Sequence, residues 1–226
     1  SPNDFIAAFR TELVDAALVD LGSGHEDTLS VSAQAREFPS SPFFGISSLR
    51  GGEGPLIAQC AEFEFADVLV EGVDESCARD LVSRRGFSAR FAAALRVPPE
   101  ALALSTPVQL KAWEFIVARA GRRVHTVALA TRLGVTREHL SRTFAVAGAP
   151  NLKRVIDLVR LLAAAELSKN PGYDVRDVAA VLDFASSSHL SSTAQRVVGT
   201  KPASLARLRS MDLILRFTRG HGRSRA

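Results

Sequence analysis

With 226 residues, 46% of them hydrophobic and 23% charged, the chain can bury at least one good core. No apolar run reaches the roughly 18–20 residues of a membrane-spanning helix, which excludes an integral helical membrane protein. The net charge of +4 is unevenly divided: residues 1–120 hold 10 Lys and Arg against 17 Asp and Glu, a balance of −7, and residues 121–226 hold 18 against 7, a balance of +11. A basic half of this size is the footprint of a polyanion binder, and nucleic acid fits it better than a membrane because no helix there pairs a cationic face with a free apolar one.

In chain order, Phe5, Ile6, Phe9 and Leu13 recur at helical intervals over residues 4–13. Ala16-Ala17-Leu18-Val19 is a short apolar run that stops at Asp20, and Gly22-Ser23-Gly24 breaks it. A weaker helical stretch around Leu29–Arg36 leads to Pro39 and Pro42. Phe43-Phe44-Gly45-Ile46 is a second run, ending at Ser47-Ser48; Gly54-Pro55 opens a helix through Ala61. Val68-Leu69-Val70 is a third run, ending at Glu71-Gly72, and a last helix covers about Glu75–Ser83. Helix and continuous apolar strand in turn predict a small α/β unit, a parallel sheet covered by helices, over residues 1–86. Pro98, Pro99 and Pro107 mark residues 87–108 as a linker with one short helix. From Gln109 strand signals disappear, so residues 109–210 are expected to be mainly α. Residues 211–226 should hold the end of a C-terminal helix and a basic tail, with Gly220 to Ala226 disordered without a partner.

Within the helical part, Val127, Leu129, Ala130 and Leu133 give a short apolar-faced helix closed by Gly134, where a left-handed residue is cheap. Val135 turns inward, Thr136 caps a second helix, and Leu140 and Phe144 pin that helix to the core. Two short helices joined by a tight turn are what places a second helix in a major groove. The pattern recurs about fifty residues later. Asp174 caps a helix containing Val175, Val178, Ala179 and Leu182, with Asp177 as box partner; Asp183 makes the turn and Phe184 points inward. Ser186 begins the next helix, with Leu190 and Ala194 facing the core. Between the units, Asn151–Asn170 carries one apolar face through Leu152, Val155, Ile156, Val159, Leu162, Ala163 and Leu167. About twenty residues span roughly 30 Å, close to the roughly 34 Å between successive major-groove faces of a duplex, so a monomer is expected to read adjacent grooves.

The segments LATRLGVTREHLSRTF and RVIDLVRLLAAAELSKNPGYDVRDVAAVLDFASSSHLSSTAQRVVGTKPASL resemble the AraC-type regulators, whose DNA-binding domain holds two such units and a linking helix. The resemblance covers roughly Gln109–Arg209 and implies a transcription regulator that partners double-stranded DNA. It maps base-reading positions onto Glu138, Ser141 and Arg142. Arg142 can fork to guanine O6 and N7, and Glu138 can accept from cytosine N4. Arg137 and His139 are expected on phosphate. In the second unit Ser187, Ser188, Ser191 and Ser192 take the outward positions beside His189, and Arg196 and Lys201 supply backbone charge. Many members of that family carry a cation where Ser192 stands, which weakens base readout there.

The order Asp20, Ser47/Ser48, Glu71 at three strand ends resembles the later part of a response-regulator receiver domain. In that family the first position accepts a phosphoryl group and the third is Lys. A carboxylate at Glu71 would repel the phosphoryl group, so a degenerate, non-phosphorylated receiver-like unit is expected, left to dimerise or to bind a small-molecule or protein effector.

An enzyme is the rival class: AraC-like helices are sometimes fused to DNA alkyl-transfer domains with a reactive Cys. Neither Cys60 nor Cys77 has a neighbouring His, and two cysteines suit neither a disulfide framework nor a zinc cluster. Both are read as core filler in a reducing cytoplasm. The histidines at 25, 125, 139, 189 and 221 show no ligand spacing, and Gly51-Gly52-Glu53-Gly54 lacks the Lys-Ser/Thr of a phosphate loop. No metal, cofactor, membrane partner or catalytic activity is therefore expected; a protein-interaction module without specific DNA binding is the third reading. The N-terminus does not read as a secretory signal, and its lack of Met leaves room for residues upstream of Ser1.

Overall fold

The three apolar runs become strands β1 (Ala17–Asp20), β2 (Phe43–Ser47) and β3 (Asp67–Val70). They form a parallel sheet in the order β1-β2-β3, with Ala17 opposite Phe43 and Phe44 opposite Asp67. The structure, a computed structural model, describes residues 2–22, 25–50, 52–145 and 148–222. Central β2 is buried along most of its length, as an apolar run with no polar alternation requires.

Parallel strands need crossovers, which are α2 (His25–Ala33) and α3 (Gly54–Glu62). Helix α1 (Pro2–Thr11) lays Phe9 against Phe38 and Phe43, with ring centroids 4.4 and 5.8 Å away. Helix α4 (Glu75–Arg85) follows β3, and α5 (Phe87–Ala94) is the short helix expected in the linker. A 3-10 turn at Glu100–Leu102 leads to α6 (Pro107–Ala118), which opens on a capping box between Thr106 and Gln109. The indole N–H of Trp113 on α6 donates to the Leu95 carbonyl at 2.8 Å and ties that helix to α5.

The helical part continues as α7 (Thr126–Arg132), α8 (Arg137–Ala145), α9 (Leu152–Leu167), α10 (Val175–Val181), α11 (Ser187–Val198), a 3-10 turn at Pro202–Arg207, and α12 (Ser210–Gly222). Asn151 caps α9 through its side chain, accepting from the Arg154 N–H at 2.9 Å. Two expectations for this part are corrected. Helix α9 has 16 residues rather than about twenty, and 13 of them are buried, so it is enclosed on all sides rather than along one face. Helix α12 runs to Gly222, so residues 220–222 are helical rather than disordered; its buried Leu213, Ile214 and Phe217 anchor it. The rest of the expected basic tail, and Ser23-Gly24 of the expected break after β1, lie outside the described residues.

The α/β part and the helical part share one core. Asn170, just past α9, accepts from the Ser40 backbone N–H at 2.8 Å and donates to the Ser40 hydroxyl at 2.7 Å. The Gly172 N–H reaches the Glu37 carbonyl at 2.9 Å, and the rings of Phe38 and Tyr173 meet edge-on at 4.9 Å. Arg122 donates to the Leu13 carbonyl at 3.2 Å. Among the described residues no helix is long and apolar enough to cross a membrane.

Candidate nucleic-acid interface

The two helix pairs are built by the same local chemistry. In the first, Leu129 and Ala130 of α7 are buried, while Val127, expected on the same apolar face, is 59% exposed. Gly134 then takes a left-handed φ of +67°, and the Val135 N–H returns to the Ala130 carbonyl at 3.1 Å. In the second pair, Asp183 takes the left-handed turn at φ +55°, and the Phe184 N–H returns to the Ala179 carbonyl at 2.8 Å. The closing bond spans five residues in both. Asp substitutes for Gly because its short polar side chain tolerates this backbone region at modest cost.

Caps then start each second helix in the expected place. Thr136 Oγ1 accepts from the His139 N–H at 3.1 Å, and Ser186 Oγ accepts from the His189 N–H at 3.1 Å. The capping box of Asp174 and Asp177 is present on α10; hydrogen bonds from the Asp177 and Arg176 backbone hold the Asp174 carboxyl below its ordinary value. Leu140 and Phe144 are fully buried, as are Leu190 and Ala194, which fixes the opposite faces of α8 and α11 outward.

On α8 that outward face carries Arg137, Glu138, His139, Ser141 and Arg142, all exposed. Arg142 makes one long contact, from Nε to the Glu138 carbonyl at 3.4 Å, and has no ion pair among the described residues. On α11, Ser188 and Ser192 are exposed, and Ser187 and Ser191 are half-buried. The Ser191 hydroxyl donates to the Ser187 carbonyl at 2.9 Å and that of Ser192 to the His189 carbonyl at 3.1 Å, which leaves their lone pairs to accept. His189 is held edge-on to Phe184, and its Nδ1 accepts from the Ala185 N–H at 3.4 Å. Lys201 is exposed just beyond α11.

Arg196, expected to supply backbone charge, keeps 52% of its side chain exposed and also makes an internal contact. Its guanidinium donates to Asp157 of α9 at 2.9 Å, and Asp157 retains only 10% side-chain exposure. The pair ties the second unit to the linking helix. One residue escaped the sequence reading: Gln195 is exposed on α11 and shares a shallow groove with Ser188, Ser192 and Lys201. Its spacing from Ser188 and Ser192, seven and three residues, is the signal that places it on their face.

Residues 129–208 match the model of a helix-turn-helix domain family. The matched stretch begins inside α7 and ends after the Pro202–Arg207 turn, and so takes in both units and the linking helix. The match supports an AraC-type helix-turn-helix DNA-binding domain in this part of the chain. No curated protein and no solved structure matches the chain. Among the described residues no three His, Cys, Asp or Glu side chains are grouped to hold a metal ion.

The sheet's carboxyl edge brings the other singled-out residues together. The Glu71 N–H bonds the Ser47 carbonyl at 2.9 Å, and Asp20 accepts from the Gly22 N–H at 2.8 Å. An unforeseen residue organises this edge: buried Glu53 accepts from the Ser47 hydroxyl at 2.5 Å, the Ser48 hydroxyl at 2.8 Å and the Leu49 N–H at 3.1 Å. The Ser47 hydroxyl, then that of Ser48, draws the Glu53 carboxyl below its ordinary value despite burial.

Proposed function

We propose that the chain is a sequence-specific, non-enzymatic transcriptional regulator acting in the cytoplasm, and that α8 and α11 enter adjacent major grooves of one duplex. The observation that carries this reading is the doubled turn closure, Val135 to Ala130 and Phe184 to Ala179, each followed by a capped helix with a polar outward face. Base readout is assigned to Glu138, Ser141 and Arg142. Arg137, His139 and Lys201 go to phosphate, and the serines of α11 with Gln195 give a weaker second reading. Helix α9, at 16 residues, contributes about 24 Å of the roughly 34 Å between groove faces. The offsets of α8 and α11 from its ends, or a bend in the duplex, supply the remainder.

Selection of bound sequences from a random duplex pool tests this directly. Enrichment of two blocks about one helical turn apart is expected, with affinity falling steeply as salt rises. A pool that enriches nothing, or binding indifferent to salt, favours the protein-interaction module instead. An alkyl-transfer enzyme finds little support in the cysteines: burial pushes the Cys60 thiol up, away from the nucleophilic thiolate, and Cys77, exposed rather than in the core as expected, donates its thiol to the Asp74 carbonyl at 3.3 Å.

For the α/β part we propose a degenerate receiver-like unit that is not phosphorylated and serves in dimerisation or effector binding. Support comes from Glu53, whose carboxylate holds both serine hydroxyls at the sheet edge, and from Glu71 in place of a cation. Acetyl phosphate with Mg²⁺ should leave Asp20 unmodified; an adduct of about 80 Da there overturns this reading.

A further inference from the structure

A cavity of about 400 Å³ lies where the α/β part, α5, the end of α9 and the start of α12 meet. We propose that it binds a small aromatic carboxylate. Its size falls in the range of small-molecule sites. The apolar side is made by Phe87, Phe91 and Leu95, the two rings stacked 23° apart with centroids 5.9 Å apart. Such walls favour a flat apolar body laid against ring faces or edges.

The polar side selects the charge. Lys169 Nζ sits 2.8 and 2.7 Å from the two Glu166 oxygens, and the Ser210 hydroxyl lies 3.4 Å from one of them, so this cation and this anion satisfy each other. Arg90 has no carboxylate partner among the described residues; its guanidinium donates to the Ser40 carbonyl and keeps further N–H groups for a ligand. Arg90 is exposed at the edge of the apolar cavity, and its planar fork can hold a ligand carboxylate bidentately.

The walls also give the ligand a route to the DNA-binding part, a consequence that rests on the regulator reading. Asn170 lines the cavity and grips Ser40, and Tyr173, three residues on, meets Phe38 edge-on before Asp174 caps α10. An occupant held by Arg90 and packed beside Asn170, whose amide is already engaged by Ser40 and Leu167, therefore bears on the joint between the α/β part and the second helix-turn-helix unit, which is what coupling between two sites requires.

Calorimetric titration of the full chain with 2-naphthoate and with its neutral analogue 2-naphthamide tests the site. One naphthoate per chain is expected, bound at least about tenfold tighter than the amide. Arg90→Gln should bring the two affinities together. Ala94→Trp, which fills the cavity from an exposed position at the end of α5, should abolish both. No saturable binding, an amide that binds as tightly as the acid, or naphthoate binding untouched by either variant overturns the proposal. Duplex selection on the same preparation keeps the readings apart: a protein that takes naphthoate but enriches no DNA loses the regulator reading alone.

Discussion

The guanidinium carbon of Arg160 lies 3.7 Å from the centroid of the Phe184 ring. Arg160 belongs to the linking helix and Phe184 to the turn of the second unit, and the same guanidinium donates to the Leu182 carbonyl at 2.8 Å. Burial lowers its proton affinity, while Asp157 and Asp183 oppose that effect. A buried cation held this way is costly to remove. Arg160→Ala should cost about 2–4 kcal/mol, because it deletes a desolvated ring contact and strands a carbonyl. The shift in the urea unfolding midpoint measures it; a loss below about 1 kcal/mol refutes this role for the pair.

Two glycines separate backbone strain from crowding. Gly134 has a φ of +67° and open space around a would-be Cβ, so Gly134→Ala should cost only the left-handed penalty, about 1–2 kcal/mol. At Gly121, φ is +84° and a Cβ would sit 2.3 Å from the Ala163 Cβ of α9. Gly121→Ala must displace the linking helix as well and should cost at least about 2 kcal/mol more. Equal losses in parallel thermal or urea unfolding would show that α9 gives way freely.

Tyr173 carries a buried phenol whose oxygen finds no hydrogen-bond partner among the described residues. Burial, then the nearby Asp177, pushes its pKa well above the ordinary 10.0. A folded-state pKa above the unfolded one gives a contribution fully present below pH 10 and lost as pH rises through the folded value. Tyr173→Phe keeps the edge-on contact with Phe38, should gain roughly 1 kcal/mol at neutral pH, and should flatten the alkaline fall in stability. Unfolding midpoints at pH 7 and above 10 check both halves.

At the acid end Glu53 behaves in the opposite sense. Its carboxyl is held below the ordinary 4.5, so its contribution is present above that value and is lost as pH falls through the lower folded one. Glu53→Gln should therefore flatten the acid limb of a stability–pH curve while leaving the alkaline limb alone. An unchanged acid limb would mean that the serine hydroxyls find other partners at no cost.

On DNA, Arg142→Ala should weaken the selected site by about 1–3 kcal/mol and relax specificity at one position, and Ser192→Ala should do much less. Arg196→Ala should lower stability by unpairing Asp157, which a unfolding curve detects without DNA. Gel-shift titrations with the order of the first two reversed would move the main reading from α8 to α11.

The legible parts of the sequence were those where one residue type has one local use. Gly134, Thr136, Asn151, Asp174 and Ser186 announced turns and caps through backbone chemistry, and each was found at that task. The three strands showed themselves as unbroken apolar runs. Relations set by distant partners were not legible. Arg196 carries a charge suited to phosphate, and only the approach of α9 turns it toward Asp157. Glu53 stands in a glycine-rich stretch, and its partners Ser47 and Ser48 are only six and five residues back, but it meets them only because the turn after β2 folds it onto the strand end. Helix α9 reads as one-sided because Asp157 and Arg160 are polar, yet their partners bury them too.

That enclosure bears on how such a protein can diversify. With 13 of 16 positions of α9 packed, nearly every change in it disturbs a neighbour, so drift in this helix is expected to be slow and compensated. Exposed positions such as Glu138, Arg142, Ser188 and Gln195 can vary almost free of folding constraints. On the proposed DNA-binding function, new target preferences are thus most readily acquired at the rims of α8 and α11, while the enclosed linking helix between them changes little.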